Sequence, residues 1–211
     1  MSILDANVRT NNEHDFYQTL PCQIKCLCQY LDLTDQRVLD AGSGKQVIST
    51  QLRKSFPEAR IETSEVNSSN PETDVITFDF ETMGTTFHDK FPEATHGDFL
   101  NLNRKYDYII SNPPYSLKDE FIEHALELSK HVFMLFPLQI LNYIEVCEKW
   151  LDDDRYCGRI LMYPKVILNA EGEYIQGGNT GYAWFHWSSD YLLVGNPKLK
   201  YEVIEDIRKY K

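Results

Sequence analysis

Apolar residues recur along this chain at two spacings, one that suits helices and one that suits buried strands. Residues 18–33 (QTLPCQIKCLCQYLDL) place Ile24, Leu27, Tyr30 and Leu31 on one helical face. Residues 37–40 form a short apolar strand that runs into Ala41-Gly42-Ser43-Gly44, and residues 46–56 read as a helix closed by Pro57. Residues 59–66 predict a second strand with acidic groups at its carboxyl end. Tyr106–Ser111 predicts a third, which must stop where Pro113 and Pro114 remove ladder donors. Residues 118–130 carry Phe121, Ala125 and Leu128 at helical spacing, and 131–141 read as a buried strand and turn. Residues 160–168 and 181–187 read as strands around the glycine-rich GEYIQGGNTG, an antiparallel hairpin expected to finish the sheet. Such alternation predicts an α/β protein, with a mostly parallel sheet and helices on both faces. Residues 68–96 are turn-rich, with one strand-like piece at 75–80, and read as an insertion.

With 211 residues, 42% of them hydrophobic, the chain has material for a single core, so 1–211 is expected to be one domain. It contains no internal repeat and no linker. There is no apolar run of the roughly 20 residues a membrane helix needs, and MSILDANVRTNNEHDF lacks the pattern of an export signal. The expectation is a soluble, cytoplasmic protein without a membrane partner. Of the cysteines, Cys22, Cys26 and Cys28 cluster in a helix-like run without a matching second Cys/His group, which favours reduced, buried thiols over a metal site. The net charge of −11 argues against broad coating of nucleic acid by Lys and Arg but leaves room for a local basic cleft.

Three short segments carry candidate chemistry. Asp40-Ala41-Gly42-Ser43-Gly44 lies between a strand and a helix, where glycines let a ligand approach the backbone at the carboxyl end of the sheet, although an ordinary strand-to-helix turn has the same form. Glu65, 23 residues after Gly42 at the end of the next strand, is placed to accept both hydroxyl hydrogens of a ribose; Glu62 is its rival. In Gly97-Asp98-Phe99-Leu100, Asp98 offers an acceptor to an exocyclic amine and Phe99 an apolar wall, unless both merely shape a turn. The most informative segment is Ser111-Asn112-Pro113-Pro114-Tyr115. A nucleobase amine is a poor nucleophile because its lone pair is delocalised into the ring. Two acceptors holding its hydrogens, the Asn112 side-chain oxygen and the Pro113 carbonyl, favour a tetrahedral and nucleophilic nitrogen. Pro114 restricts Pro113 and helps aim that carbonyl, while Tyr115 offers a face for stacking. A polyproline ligand would share Pro-Pro-Tyr but not the apolar strand before it or the helix after it.

The order of these motifs resembles that of S-adenosylmethionine-dependent amino-methyltransferases, specifically the adenine-N6 DNA methyltransferases. Phe16-Tyr17-Gln18-Thr19-Leu20-Pro21 resembles the Phe-Tyr-x-Thr-Pro segment of their small phage-type members. The likeness spans residues 15–190 and implies a Rossmann-like class I methyltransferase fold. It also implies S-adenosylmethionine as cofactor, no metal, and a DNA partner presenting a single-stranded or flipped adenine in a bacterial or phage-infected cell. Tyr17 and Thr19 would border the methionine end of the cofactor, Asp40, Gly42 and Gly44 its loop, Glu65 the ribose, and Asp98 with Phe99 the adenine. Asn112, Pro113, Pro114 and Tyr115 would hold the target base and carry catalysis. The chain departs from the family where Gln46 occupies the place of a third glycine and Leu20 interrupts the Thr-Pro pair. No separate target-recognition domain is expected, so base-sequence specificity would come from internal loops or a partner protein. Tyr163, Tyr174, Tyr182, Trp184 and Trp187 are candidates for an added contact with the base. The alternatives are methylation of RNA, methylation of a protein glutamine amide, and an inactive cofactor-binding interaction protein.

Overall fold

The computed structural model describes residues 19–65, 98–163, 165–168, 174–176, 181–190 and 201–210. The expected insertion at 68–96, Tyr17 and most of the glycine-rich turn lie outside them. Helix α1 (Pro21–Cys28) opens with Pro21 at its first position, and Gln23 turns its side chain back to accept the Leu20 N–H at 2.7 Å. It is shorter than the sequence pattern suggested, so Tyr30 falls beyond it and is 40% exposed. Strand β1 (Arg37–Ala41), helix α2 (Val47–Ser55) and strand β2 (Arg60–Ser64) follow, then β3 (Tyr106–Ser111), α3 (Lys118–Leu128) and β4 (Ser129–Pro137). A helical segment the sequence reading missed, Ile144–Val146 continuing into the π-helical Cys147–Leu151, leads to β5 (Tyr156–Tyr163).

The expected hairpin is more elaborate. The predicted strand at 160–168 is divided between β5 and a short β6 (Val166–Leu168), which pairs with β7 (Tyr174–Gln176) in a ribbon of its own. Strand β8 (Tyr182–Ser188) pairs antiparallel with β5, as expected, but it also inserts antiparallel beside β4. Nor does the hairpin finish the sheet, because β9 (Tyr201–Asp206) adds to β5 in parallel. The sheet has seven strands in the order β2-β1-β3-β4-β8-β5-β9, and only β8 runs against its neighbours.

Period-2 alternation in the strands divides the core in two. On one face Leu39, Val132, Met134 and Phe136 pack beneath Phe121, Ile122 and Ala125 of α3 and beneath Trp150. On the other, Val38, Ile110, Phe133 and Leu135 meet Ile24 and Leu27 of α1 and Ile48 and Leu52 of α2. Cys22 and Cys26 are fully buried in this second layer, packing as small apolar residues. Trp184 and Trp187 belong to the core, their indole N–H groups donating to the carbonyls of Gln23 at 3.0 Å and Trp150 at 2.8 Å. Among the described residues no helix is long and apolar enough to cross a membrane.

At the amino end of β4, His131 Nδ1 lies 3.4 Å from His186 Nε2, with His186 stacked on Phe133 at 4.1 Å and His131 on Tyr108 at 4.7 Å. Burial pushes the His186 imidazole from 6.5 down to about 3 and lowers His131 as well. The folded protein therefore keeps these rings neutral while the unfolded chain takes up protons below its ordinary histidine value. Stability is lost as pH falls from about 6.5 towards 3. At pH 5 the loss from His186 amounts to about 2 kcal/mol. We expect His186→Gln, which retains a partner for His131 but cannot titrate, to flatten the fall in melting temperature between pH 7.5 and 5. Equal slopes for the two proteins would count against this assignment.

Candidate active site

The site lies at the carboxyl edge of the parallel strands, where three strand ends coincide. Ala41 pairs with Ser64 of β2 on one side and Ser111 of β3 on the other. The Ser111 hydroxyl donates to the Ala41 carbonyl at 2.6 Å, and the Ser43 N–H donates to the Ser64 carbonyl at 2.9 Å. The glycine turn and the Asn112 corner therefore emerge side by side.

Gly42 has φ +65°, a conformation costly to any residue with a Cβ, and a Cβ there would stand 3.4 Å from the Phe121 ring. The Gly44 N–H donates to the Glu65 carboxylate at 2.7 Å, which brings Glu65, half-exposed at the end of β2, directly to the turn. Glu62 is engaged elsewhere: it is 8% exposed, pairs with Arg37 at 3.0 Å and Arg104 at 3.4 Å, and accepts from the Tyr106 phenol at 3.0 Å. Of the two rival acids, Glu65 is the one at the glycine turn. Asp40 is fully buried, and one oxygen accepts the Ser49 N–H at 2.9 Å, tying the first turn of α2 to the end of β1. Its other oxygen has no hydrogen-bond partner among the described residues. Burial pushes this carboxyl up to about 7, against the opposing pull of the Ser49 hydrogen bonds. Gln46, at the place of the third glycine, has φ +56°, the left-handed conformation that a glycine would adopt without strain.

The Asp98 carboxylate is used within its own turn, accepting from the Leu100 N–H at 3.0 Å and the Asn101 side-chain amide at 3.1 Å. Phe99 is 1% exposed, with its ring 4.8 Å from Phe121 and 5.0 Å from His124. The expected apolar wall is thus a buried ring, and it reaches the glycine turn through Phe121.

At the end of β3 Asn112 is half-buried, Pro113 buried, and Pro114 and Tyr115 half-buried. The Asn112 amide donates to the Thr19 hydroxyl at 3.0 Å, and the Tyr115 phenol approaches the Asn112 oxygen at 3.4 Å. Thr19, expected on the cofactor side, is placed against the acceptor corner. Of the five aromatic candidates, the structure brings Tyr182 to this corner: burial raises its phenol, and a hydrogen bond with Tyr115 opposes that rise. Tyr163 is 61% exposed, and the Tyr174 side chain lies outside what is described.

Tyr115 also lines a cleft of about 500 Å³ together with Phe136, Ile140, Tyr143 and Val146. Lys118, Asp119, Glu145 and Lys149 surround it, two cations against two acids. This volume suits a planar group and its attached sugar. The sequence reading missed the cleft because part of its lining, Tyr143, Glu145, Val146 and Lys149, comes from the short helical stretch after β4, which shows no periodic core face.

The sequence model of the family described as "Methyltransferase small domain" matches residues 23–129, just over half of the chain. The chain belongs to that family. It is 29% identical over 111 residues to a tRNA1(Val) (adenine(37)-N6)-methyltransferase of Pedobacter heparinus, an alignment covering 51% of this chain and 45% of that protein. It therefore spans less than half the length of this curated relative. Among solved structures, the methyltransferase subunit of a Streptococcus thermophilus type I restriction-modification system superposes with a TM-score of 0.57 at 13% identity, over 84% of this chain and 46% of that one. A protein of Pyrococcus horikoshii proposed to be an RNA methyltransferase gives 0.54 at 20% identity, over 79% and 80%. These two likenesses concern the fold, which is the Rossmann-like class I methyltransferase fold.

S-adenosylmethionine is the methyl donor that this family and fold imply. The residues present in this chain fit that molecule. A turn whose left-handed backbone at Gly42 disfavours any side chain, a carboxylate at the turn's rim, and the unsatisfied buried oxygen of Asp40 make a polar cradle at the carboxyl edge of β1. Glu65→Ala is expected to weaken S-adenosylmethionine binding by roughly 1–3 kcal/mol, the usual consequence of removing a charged acceptor, as read by calorimetric titration. Unchanged affinity would remove Glu65 from the cofactor site. Gln46→Gly is expected to raise unfolding free energy by about 1 kcal/mol through relief of its left-handed backbone, measured by urea denaturation. A loss of stability would contradict the strain.

Proposed function

We propose that this methyltransferase transfers its methyl group to the exocyclic N6 amine of adenine in a nucleic acid, with RNA as the favoured polymer. The observation that carries the reading is the corner Asn112–Tyr115, held beside the glycine turn by the β1–β3 register, with Tyr115 lining the cleft. The Asn112 side-chain oxygen and the Pro113 carbonyl accept the two hydrogens of the amine and draw its nitrogen towards a tetrahedral form. Tyr115 supports the base by stacking, worth roughly 1–3 kcal/mol. Bound at the glycine turn, S-adenosylmethionine would supply an electrophilic methyl group on a cationic sulfur, and the electron pair of the broken carbon–sulfur bond would stay with that sulfur. The methylated nitrogen then sheds one proton to solvent. Catalysis by the chain itself is positioning and amine activation.

RNA is favoured because the relative from Pedobacter heparinus carries an RNA substrate in its name. The cleft's balanced lysines and acids and the net charge of −11 suit recognition of one exposed base better than a long phosphate track. DNA is the second reading, supported by the order of the sequence motifs and by Phe16-Tyr17-Gln18-Thr19.

The test is methyl transfer from labelled S-adenosylmethionine to matched RNA and DNA oligonucleotides, single- and double-stranded, and to a glutamine-containing peptide. N6-methyladenine in an oligonucleotide is expected, and label confined to the peptide would overturn the reading. Asn112→Ala is expected to abolish turnover with S-adenosylmethionine affinity nearly intact, whereas wild-type turnover in this variant would reject amine activation by Asn112.

A further inference from the structure

We infer that Thr19 is a positioning residue for the acceptor corner, holding the Asn112 amide so that its oxygen faces the target amine. The inference rests on the reading of Asn112 given above. An amide has its donor and acceptor on opposite arms of one plane, so a partner for the nitrogen also sets where the oxygen points. The Asn112 nitrogen donates to the Thr19 hydroxyl at 3.0 Å, which leaves the oxygen on the Tyr115 side, where the phenol stands at a long 3.4 Å. A contact of that length yields readily to a better donor such as a bound amine.

Thr19 suits this role because it is itself held. It is 6% exposed, so water does not readily replace its hydroxyl. It stands just before α1, whose first turn is fixed by the Leu20–Gln23 hydrogen bond and whose Gln23 carbonyl accepts from the buried Trp184 indole at 3.0 Å. Cys22, Ile24, Cys26 and Leu27 anchor the helix at full burial. The amide of the residue that follows β3 is thus oriented by a hydroxyl 93 positions earlier in the chain, just before a helix with its own anchors in the core. This departs from the role that resemblance implies for Thr19 at the cofactor, and the two roles give different kinetics.

Thr19→Val removes the hydroxyl at nearly constant shape, and Thr19→Ser retains it. With the unmethylated oligonucleotide substrate as acceptor, Thr19→Val is expected to lower kcat roughly 10- to 100-fold, the scale of a small misplacement at a reacting centre. KM for the acceptor and Kd for S-adenosylmethionine should stay within about twofold, and Thr19→Ser should restore most of kcat. A readout independent of turnover is the side-chain amide resonance pair of Asn112, identified by its loss in Asn112→Ala. Its hydrogen exchange should quicken in Thr19→Val but not in Thr19→Ser.

Wild-type kcat in Thr19→Val, or unchanged amide exchange, would overturn the inference. So would a loss of S-adenosylmethionine affinity that accounts for the lost activity, since this would assign the hydroxyl to the cofactor. Failure of Thr19→Ser alongside Thr19→Val would trace the effect to packing of the methyl group and also overturn it. If Asn112→Ala is inactive while Thr19→Val is not, the inference about Thr19 falls alone. If Asn112→Ala retains turnover, the reading of Asn112 falls first and takes the role of Thr19 with it.

Discussion

The pairing of Ala41 with Ser111 is the constraint on which the site depends. Parallel strands emerge on the same side of a sheet, but only one register places the last residue of β1 opposite the last residue of β3. The Ser111 hydroxyl, buried and donating to the Ala41 carbonyl, adds a side-chain bond to the ladder at the point where both strands end. A slip by one residue would turn Ile109 and Ile110 to the wrong faces, exchanging their places in the two core layers. The core thus enforces the register, and the register brings a backbone turn suited to a nucleoside beside a corner suited to an amine.

The environment on each side of that register differs in kind. Towards β2, polar groups are concentrated around the turn: the Asp40 carboxyl, raised by burial, and the Glu65 carboxylate on the Gly44 N–H. Towards β4 the walls are aromatic, with Tyr115, Phe136 and Tyr143 around the cleft and Tyr182 behind Tyr115. A charged, ribose-bearing donor and a flat acceptor have these contrasting needs.

Much of this was legible in the sequence where local rules govern. Tyr106–Ser111 is bounded as the apolar run and the following prolines require, and the glycine turn and Glu65 lie where the strand–turn–helix pattern puts them. The choice between Glu62 and Glu65 was not legible, because it depends on Arg37, Arg104 and Tyr106, which come together only on folding. Asp98 could be read as a ligand acceptor or as a turn former, and the structure shows its carboxylate capping its own turn, since short acidic side chains suit both purposes with the same sequence. The insertion of β8 beside β4 and the addition of β9 at the edge are pairings between distant segments, which no local pattern announces. The contact of Thr19 with Asn112 has no sequence signal at all.

The turn at Gly42 rests on the ring of Phe121, and one turn earlier in the same helix Lys118 and Asp119 stand on the wall of the cleft. A single stretch of α3 is therefore a partition common to both compartments. An engineer seeking to widen the room for one substrate has no private surface to carve there, since any shift of this helix moves the other's boundary as well.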